Sequence, residues 1–350
     1  MLARMSHMQG HTTLRRRHML PVEGLVMKNL GEQAATGELL ARSRVSSRNL
    51  ILDVALALGT SIQGADRLIE CQVNDNVEKG TILARRKGLA ARTLRAPADG
   101  RVSAIRDGRI VLQLSEHRLD LVARMPGEVI DIEPDHGVVL ECVGAWVQAS
   151  WGNGGLGAGL LHIVSGPNET LTAAAIDMSQ RGAILLAGRC NQRQALELAA
   201  QVPIRGLILG SLATRLLPLA MKLNYPIVVT DGFGDSPMNQ YAFNIFHNHE
   251  GQDATIDAQP LDIFTGQHPE VVIPQKSVGY PQRPEEVRSF QVGQMVHVVA
   301  GSQRGAIGEI TALTGPSTLL PNGLRVHAAE LALEGKDTVL LPLANLEVLG

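Results

Sequence analysis

The sequence predicts a multidomain protein, α/β in its middle and all-β on either side. Three observations carry this. A turn-and-strand segment recurs at an offset of 43 residues in the first third of the chain, strands and helices alternate from Gly182 to about Phe246, and spaced valines and glycines follow a proline-rich stretch near the end. Composition agrees: 45% of residues are apolar but only 3% aromatic, with 36 glycines and 17 prolines, so the cores rest on Val, Leu, Ile and Ala in short elements. No apolar run approaches the ~20 residues that cross a bilayer as a helix. Cys71, Cys142 and Cys190 lack the spacing of a disulfide framework or a zinc ribbon. A cytoplasmic, reducing setting is expected.

Residues 1–20 contain Arg15, Arg16 and Arg17 but neither an apolar core nor a cleavage site of secretory type, and they are expected to form a disordered basic tail. Residues 21–151 hold the repeat. GEQAATGELLAR at 31–42 aligns with NDNVEKGTILAR at 74–85, and a Pro/Gly corner before a β-branched strand occurs at Pro21, Pro97 and Pro126. Two quasi-repeated halves of one barrel, each covering the other's apolar face, are the expected arrangement. The segment 49–58 is open between helix and strand pair.

The residues Val77, Lys79, Gly80, Leu83 and Ala84, followed by Ala96, Pro97, Asp99, Gly100 and Val102, resemble the biotinyl/lipoyl-like barrel-sandwich hybrid family. Carrier members of that family hold a modifiable lysine at a hairpin tip, seven residues before the corner alanine. That count lands on Leu89, and Lys87 sits two residues early in Arg85-Arg86-Lys87-Gly88. No biotin or lipoate, and no other cofactor, is therefore expected. What stands out instead is charge. Nine basic residues lie between Lys79 and Arg109 against Asp99 and Asp107 alone, and Arg85, Arg86, Lys87, Arg92 and Arg95 form the candidate polyanion contact.

Gly152, Gly154 and Gly157 have the spacing of a dinucleotide fingerprint, but a strand rather than a helix is expected after them. The α/β domain spans 160–273. Buried strands are expected at 183–187, 206–210 and 226–230, with helices at 192–200, from Ser211 to Leu223, and from Ser236 to about Phe246. A parallel sheet with right-handed crossovers brings Arg189, Ser211 and Asp231 to one rim, where a small anion or nucleotide is the candidate ligand. His247, His249 and Glu250 have metal-ligand character but read better as a polar helix end, so no metal site is assigned.

A Pro-rich linker, 274–289, precedes the last domain, 290–350. There Val296, Val298, Gly301, Gly305, Gly308 and Ile310 resemble the KOW motif of SH3-like barrels in transcription-elongation factors and ribosomal proteins. The resemblance implies five strands, among them 324–326, 338–341 and 345–348. Residues 286–350 nonetheless carry four Lys and Arg against six Asp and Glu.

These features favour a non-enzymatic binding or assembly protein that engages RNA, a ribosome or a transcription complex through the KOW-like barrel and the basic hairpin. Two alternatives stay open: a scaffold for protein partners or a homo-oligomer, and a ligand-binding or enzymatic α/β domain.

Overall fold

The computed structural model describes residues 2–45, 49–88, 91–114, 117–262, 266–275, 288–315, 317–320, 322–333 and 338–349. It is predominantly β, in several sheets, with short helices.

The sequence repeat marks two copies of one β unit. In one copy the Gly31 and Gly37 N–H groups donate to the carbonyls of Val129 and Ala123; in the other, Asn74 and Gly80 donate to Val102 and Ala96. The returning bonds, Val129 to Glu32 and Val102 to Asp75, are 2.9 Å in both. The strands Gly127–Glu133 and Gly100–Arg106 each carry a bulge, between Val129 and Asp131 and between Val102 and Ala104. Gly127 and Gly100 stand at the same crossing: a Cβ would lie 2.5 Å from the carbonyl oxygen of Glu141 in one and 2.4 Å from that of Gln113 in the other. No larger residue fits there without moving a strand.

The copies are nested, which corrects the expectation of two halves sharing one barrel. Each has its own core, with Leu40, Ala123, Val129 and Leu140 in one and Leu83, Ala96, Val102 and Leu112 in the other. The hairpin Leu39–Val45 with His117–Val122 in the outer unit corresponds to Ile82–Arg86 with Arg92–Arg95 in the inner unit. The outer hairpin does not close on a turn. The chain from Asn49 to Leu114, the whole inner unit, is inserted where its tip would be. Segment 49–58 is both things at once, the strand Asn49–Asp53 and then the helix Val54–Leu58.

Residues 1–20, expected as a disordered tail, instead supply two strands, Leu2–Ser6 and Met8–Met19. The second pairs with Gly137–Gln148 and buries Met8, Thr12, Leu14 and His18, while Arg15 and Arg17 point outward to Glu141 and Glu133. Period-two burial with charges on the open face explains why a basic run folds as a strand.

Strand Gly137–Gln148 continues past the outer unit and joins, through Glu270–Pro274 and Asp253–Asp257, four parallel strands: Leu156–Ile163, Ile184–Cys190, Gly206–Leu212 and Ile227–Phe233. Helix Arg193–Gln201 covers one face and helix Gln240–His247 the other. The helix expected from Ser211 to Leu223 is reduced to Thr214–Leu216 and Leu217–Ala220, because the strand runs on through Ser211 to Leu212.

The C-terminal strands Met295–Val298, Ile307–Leu313, Ala328–Leu333, Val339–Pro342 and Leu346–Leu349 form one sheet, which Leu2–Ser6 joins in parallel beside Leu346–Leu349. Arg325–Val326, expected within that sheet, pairs instead with Thr318–Leu319. Residues 276–287 of the expected linker lie outside the described residues.

Candidate functional site

The basic hairpin closes the far end of the inner unit. Its register sets Ile82 opposite Arg95, Ala84 opposite Leu94, Arg85 opposite Thr93 and Arg86 opposite Arg92. Leu83 and Ala84 are buried in the unit's core, whereas Lys87, Arg92 and Arg95 are exposed. Leu89, the counted attachment position, lies outside the described residues.

The five cations are not equivalent. Arg86 donates from Nη1 to the carbonyls of Leu58 and Gly59, 2.9 and 2.8 Å away, which close the helix Val54–Leu58. Arg95 donates to the Gly80 carbonyl at 2.8 Å, and Arg85 lies 3.6 Å from Glu70. Arg86 and Arg92 form a like-charge rung, an arrangement that costs a β-ladder stability. At the corresponding rung of the outer hairpin Ser43 faces Leu119, and one rung earlier Arg42 faces Asp120, which it engages at 2.6 Å.

The rim residues Arg189, Ser211 and Asp231 are brought together, since Arg189 pairs with Ser211 and Ser211 with Gly232 in adjacent strands. Each is engaged within the protein. Ser211 is fully buried and donates to the Ser236 carbonyl at 2.5 Å. Arg189 donates to Thr170 and to the Asp235 carbonyl. The buried carboxylate of Asp231 accepts from Thr230 Oγ1, Asn239 N and Asn239 Nδ2, with His297 Nε2 at 3.4 Å. Arg304, from the glycine loop of the C-terminal sheet, donates to the Asp231 carbonyl at 2.9 Å over Gly232, where a Cβ would lie 2.6 Å from Nη2. The C-terminal sheet therefore caps this rim.

A cavity of about 520 Å³, unforeseen in the sequence, opens among the strands Met8–Met19, Gly137–Gln148, Asp253–Asp257 and Glu270–Pro274. Arg16 pairs there with Glu270, which also accepts from Trp146 Nε1 at 2.8 Å, and Arg124 makes two 2.5 Å bonds to Asp257. Burial pushes the His18 pKa down, and its neutral ring accepts the Arg124 N–H at 3.1 Å through Nε2. Within the cavity, Arg16 and Arg124 are thus satisfied by Glu270 and Asp257. His249 is held at the end of its helix by the Ile245 carbonyl and Gln275.

No protein-family model and no curated protein matches the chain.

Proposed function

We propose that this chain is a non-enzymatic binding and assembly protein that engages RNA through the basic hairpin of its inner unit. In this reading the outer and inner units are barrel-sandwich hybrids, the parallel strands and their helices form an α/β domain, and the C-terminal sheet is a KOW-like SH3 barrel. The protein works in the cytoplasm.

The observation that carries the reading is the Arg86–Arg92 rung beside exposed Lys87. Like charges placed opposite each other weaken the hairpin, and a polyanion laid across them converts that repulsion into attraction. The second copy of the same framework has a like-charge rung of its own, Arg44 opposite Arg118, but one step further along and with Arg118 bonded to Asp120 at 2.9 Å. The capped rim at Asp231 weighs against the ligand-binding alternative, because Arg304 and Asn239 already take the groups a ligand would use.

The test compares the parent with the Lys87→Ser, Arg92→Ser double variant, using a fluorescent oligouridine and anisotropy across a salt series. Arg86 is kept because it holds helix carbonyls. Loss of two phosphate contacts lowers the log-log salt slope by about 1–2 units and weakens binding at low salt. A parent that binds no RNA at low salt overturns the reading and leaves the scaffold for protein partners.

A further inference from the structure

We infer that the RNA engaged by the inner unit is double-stranded and is read through its phosphate backbone, without regard to base sequence. The inference rests on the RNA reading above and names the form of RNA that suits the site.

It starts from residue types that the inner unit lacks. Residues 49–114 contain no Phe, Trp, Tyr or His. Proteins that hold single strands stack successive bases on such rings along a cationic groove, and those that read RNA sequence do so from bases splayed out in the same way. Tyr241, an aromatic ring 41% exposed, lies on the helix Gln240–His247 and not on this unit. An arginine plane also stacks on bases, but Arg86 is pinned through Nη1 to the Leu58 and Gly59 carbonyls.

What the inner unit offers is charge, closely set. Gly59, the left-handed cap of the helix Val54–Leu58, lies against both arginines of the rung: a Cβ on it would stand 3.0 Å from Arg92 Nη1 and 3.8 Å from Arg86 Nη1. The two guanidinium groups therefore converge on one glycine. Lys87, the next residue after Arg86, is exposed. Neither Lys87 nor Arg92 has a hydrogen-bond or carboxylate partner among the described residues, and the partners of Arg86 are carbonyls, which leave its charge whole.

Clustered cations without stacking rings suit the polyanion with the denser phosphates. A double helix carries about one phosphate per 1.7 Å of axis, against one per ~3.4 Å along a single strand of it. Binding also strengthens more steeply as salt falls, with a log-log slope of about −0.9 per phosphate neutralised on a duplex and about −0.7 on a single strand. For three phosphates, one each for Arg86, Lys87 and Arg92, and equal binding at 1 M salt, the duplex is favoured about sixfold at 50 mM. The deep, narrow major groove of an RNA duplex keeps side chains from the base edges, so contact there carries no sequence preference.

Anisotropy on the full chain tests this with labelled oligouridine and two RNA duplexes of equal length and unrelated sequence, across a salt series. At 50 mM salt the two duplexes bind within about twofold of each other and about sixfold more tightly than oligouridine, with the steeper salt slope. In the Lys87→Ser, Arg92→Ser double variant only Arg86 of the three remains, and the preference for duplex falls to about twofold. Both positions are exposed, so the variant keeps the parent's circular dichroism and melting temperature. Oligouridine bound as tightly as duplex, a difference of about tenfold between the two duplexes, or a variant with the parent's full preference overturns the inference while the RNA reading stands. A parent that binds none of the three overturns both.

Discussion

The inner and outer units share a ladder of hydrogen bonds, two bulges and two obligatory glycines, yet differ in what they do with their hairpins. The outer hairpin opens to admit an entire second unit, and its Arg42 is neutralised by Asp120. In the inner hairpin the corresponding rungs are Arg85 opposite Thr93 and Arg86 opposite Arg92. Turn geometry and close backbone approach hold the framework constant, and side chains that the framework does not need set the charge. The surface chemistry of the inner tip is therefore a better guide to function than the fold it sits on.

Separate cores give the sharpest way to break this comparison. Leu40 and Leu83 are equivalent and both fully buried, so changing either to alanine costs about 2–5 kcal/mol. Nested units with independent cores predict that Leu83→Ala destabilises the inner unit alone, detected as proteolytic cleavage confined to 49–114. Leu40→Ala loosens the outer unit and the sheet continuous with it. Identical cleavage patterns would mean that the units unfold as one.

The glycine pair makes the same distinction with smaller effect. Gly100→Ala and Gly127→Ala each drive a methyl group into a neighbouring carbonyl, for a loss of roughly 1–3 kcal/mol in urea unfolding. Only Gly127→Ala should reach the fluorescence of Trp146, which lies in the outer core.

Acid separates the units further. Lys28, bonded to Glu32 and Glu38, holds both carboxyls below the usual glutamate range, and the inner unit has Cys71 at the position of Lys28. Carboxyls with depressed folded pKa contribute stability that is complete above their unfolded pKa and is lost as pH falls through the folded one. The outer unit therefore loosens first below the ordinary glutamate range, followed by hydrogen exchange of 25–42 against 68–85. In Lys28→Met that acid sensitivity diminishes, and an unchanged pH profile would show that the ammonium does not hold the two carboxyls.

Much of this framework was legible from residues. The 43-residue repeat predicted related units, and the apolar runs at 183–187, 206–210 and 226–230 predicted the parallel strands that form. Nesting was not legible, because it depends on the partners 96–102 and 123–129, which share only an alanine, a corner glycine and a valine at matching positions. Arg15, Arg16 and Arg17 hid a strand, since their pairing with Glu141, Glu270 and Glu133 spans more than a hundred residues. Ser211 had the look of a helix cap but is a buried strand residue bonded to Ser236. The cavity's ion pairs are equally distant in sequence, whereas the hairpin cations are adjacent and were visible at once.

The smallest change in stability gives the most direct test of the central claim. In Arg92→Asp a carboxylate faces Arg86 across the rung, which relieves the repulsion and stabilises the inner unit by about 0.2–1 kcal/mol. Thermal unfolding and oligouridine anisotropy on the same preparation report both consequences. The account predicts a melting temperature equal to or above the parent's together with at least about a tenfold loss of RNA affinity at low salt. A variant that binds RNA as tightly as the parent contradicts it.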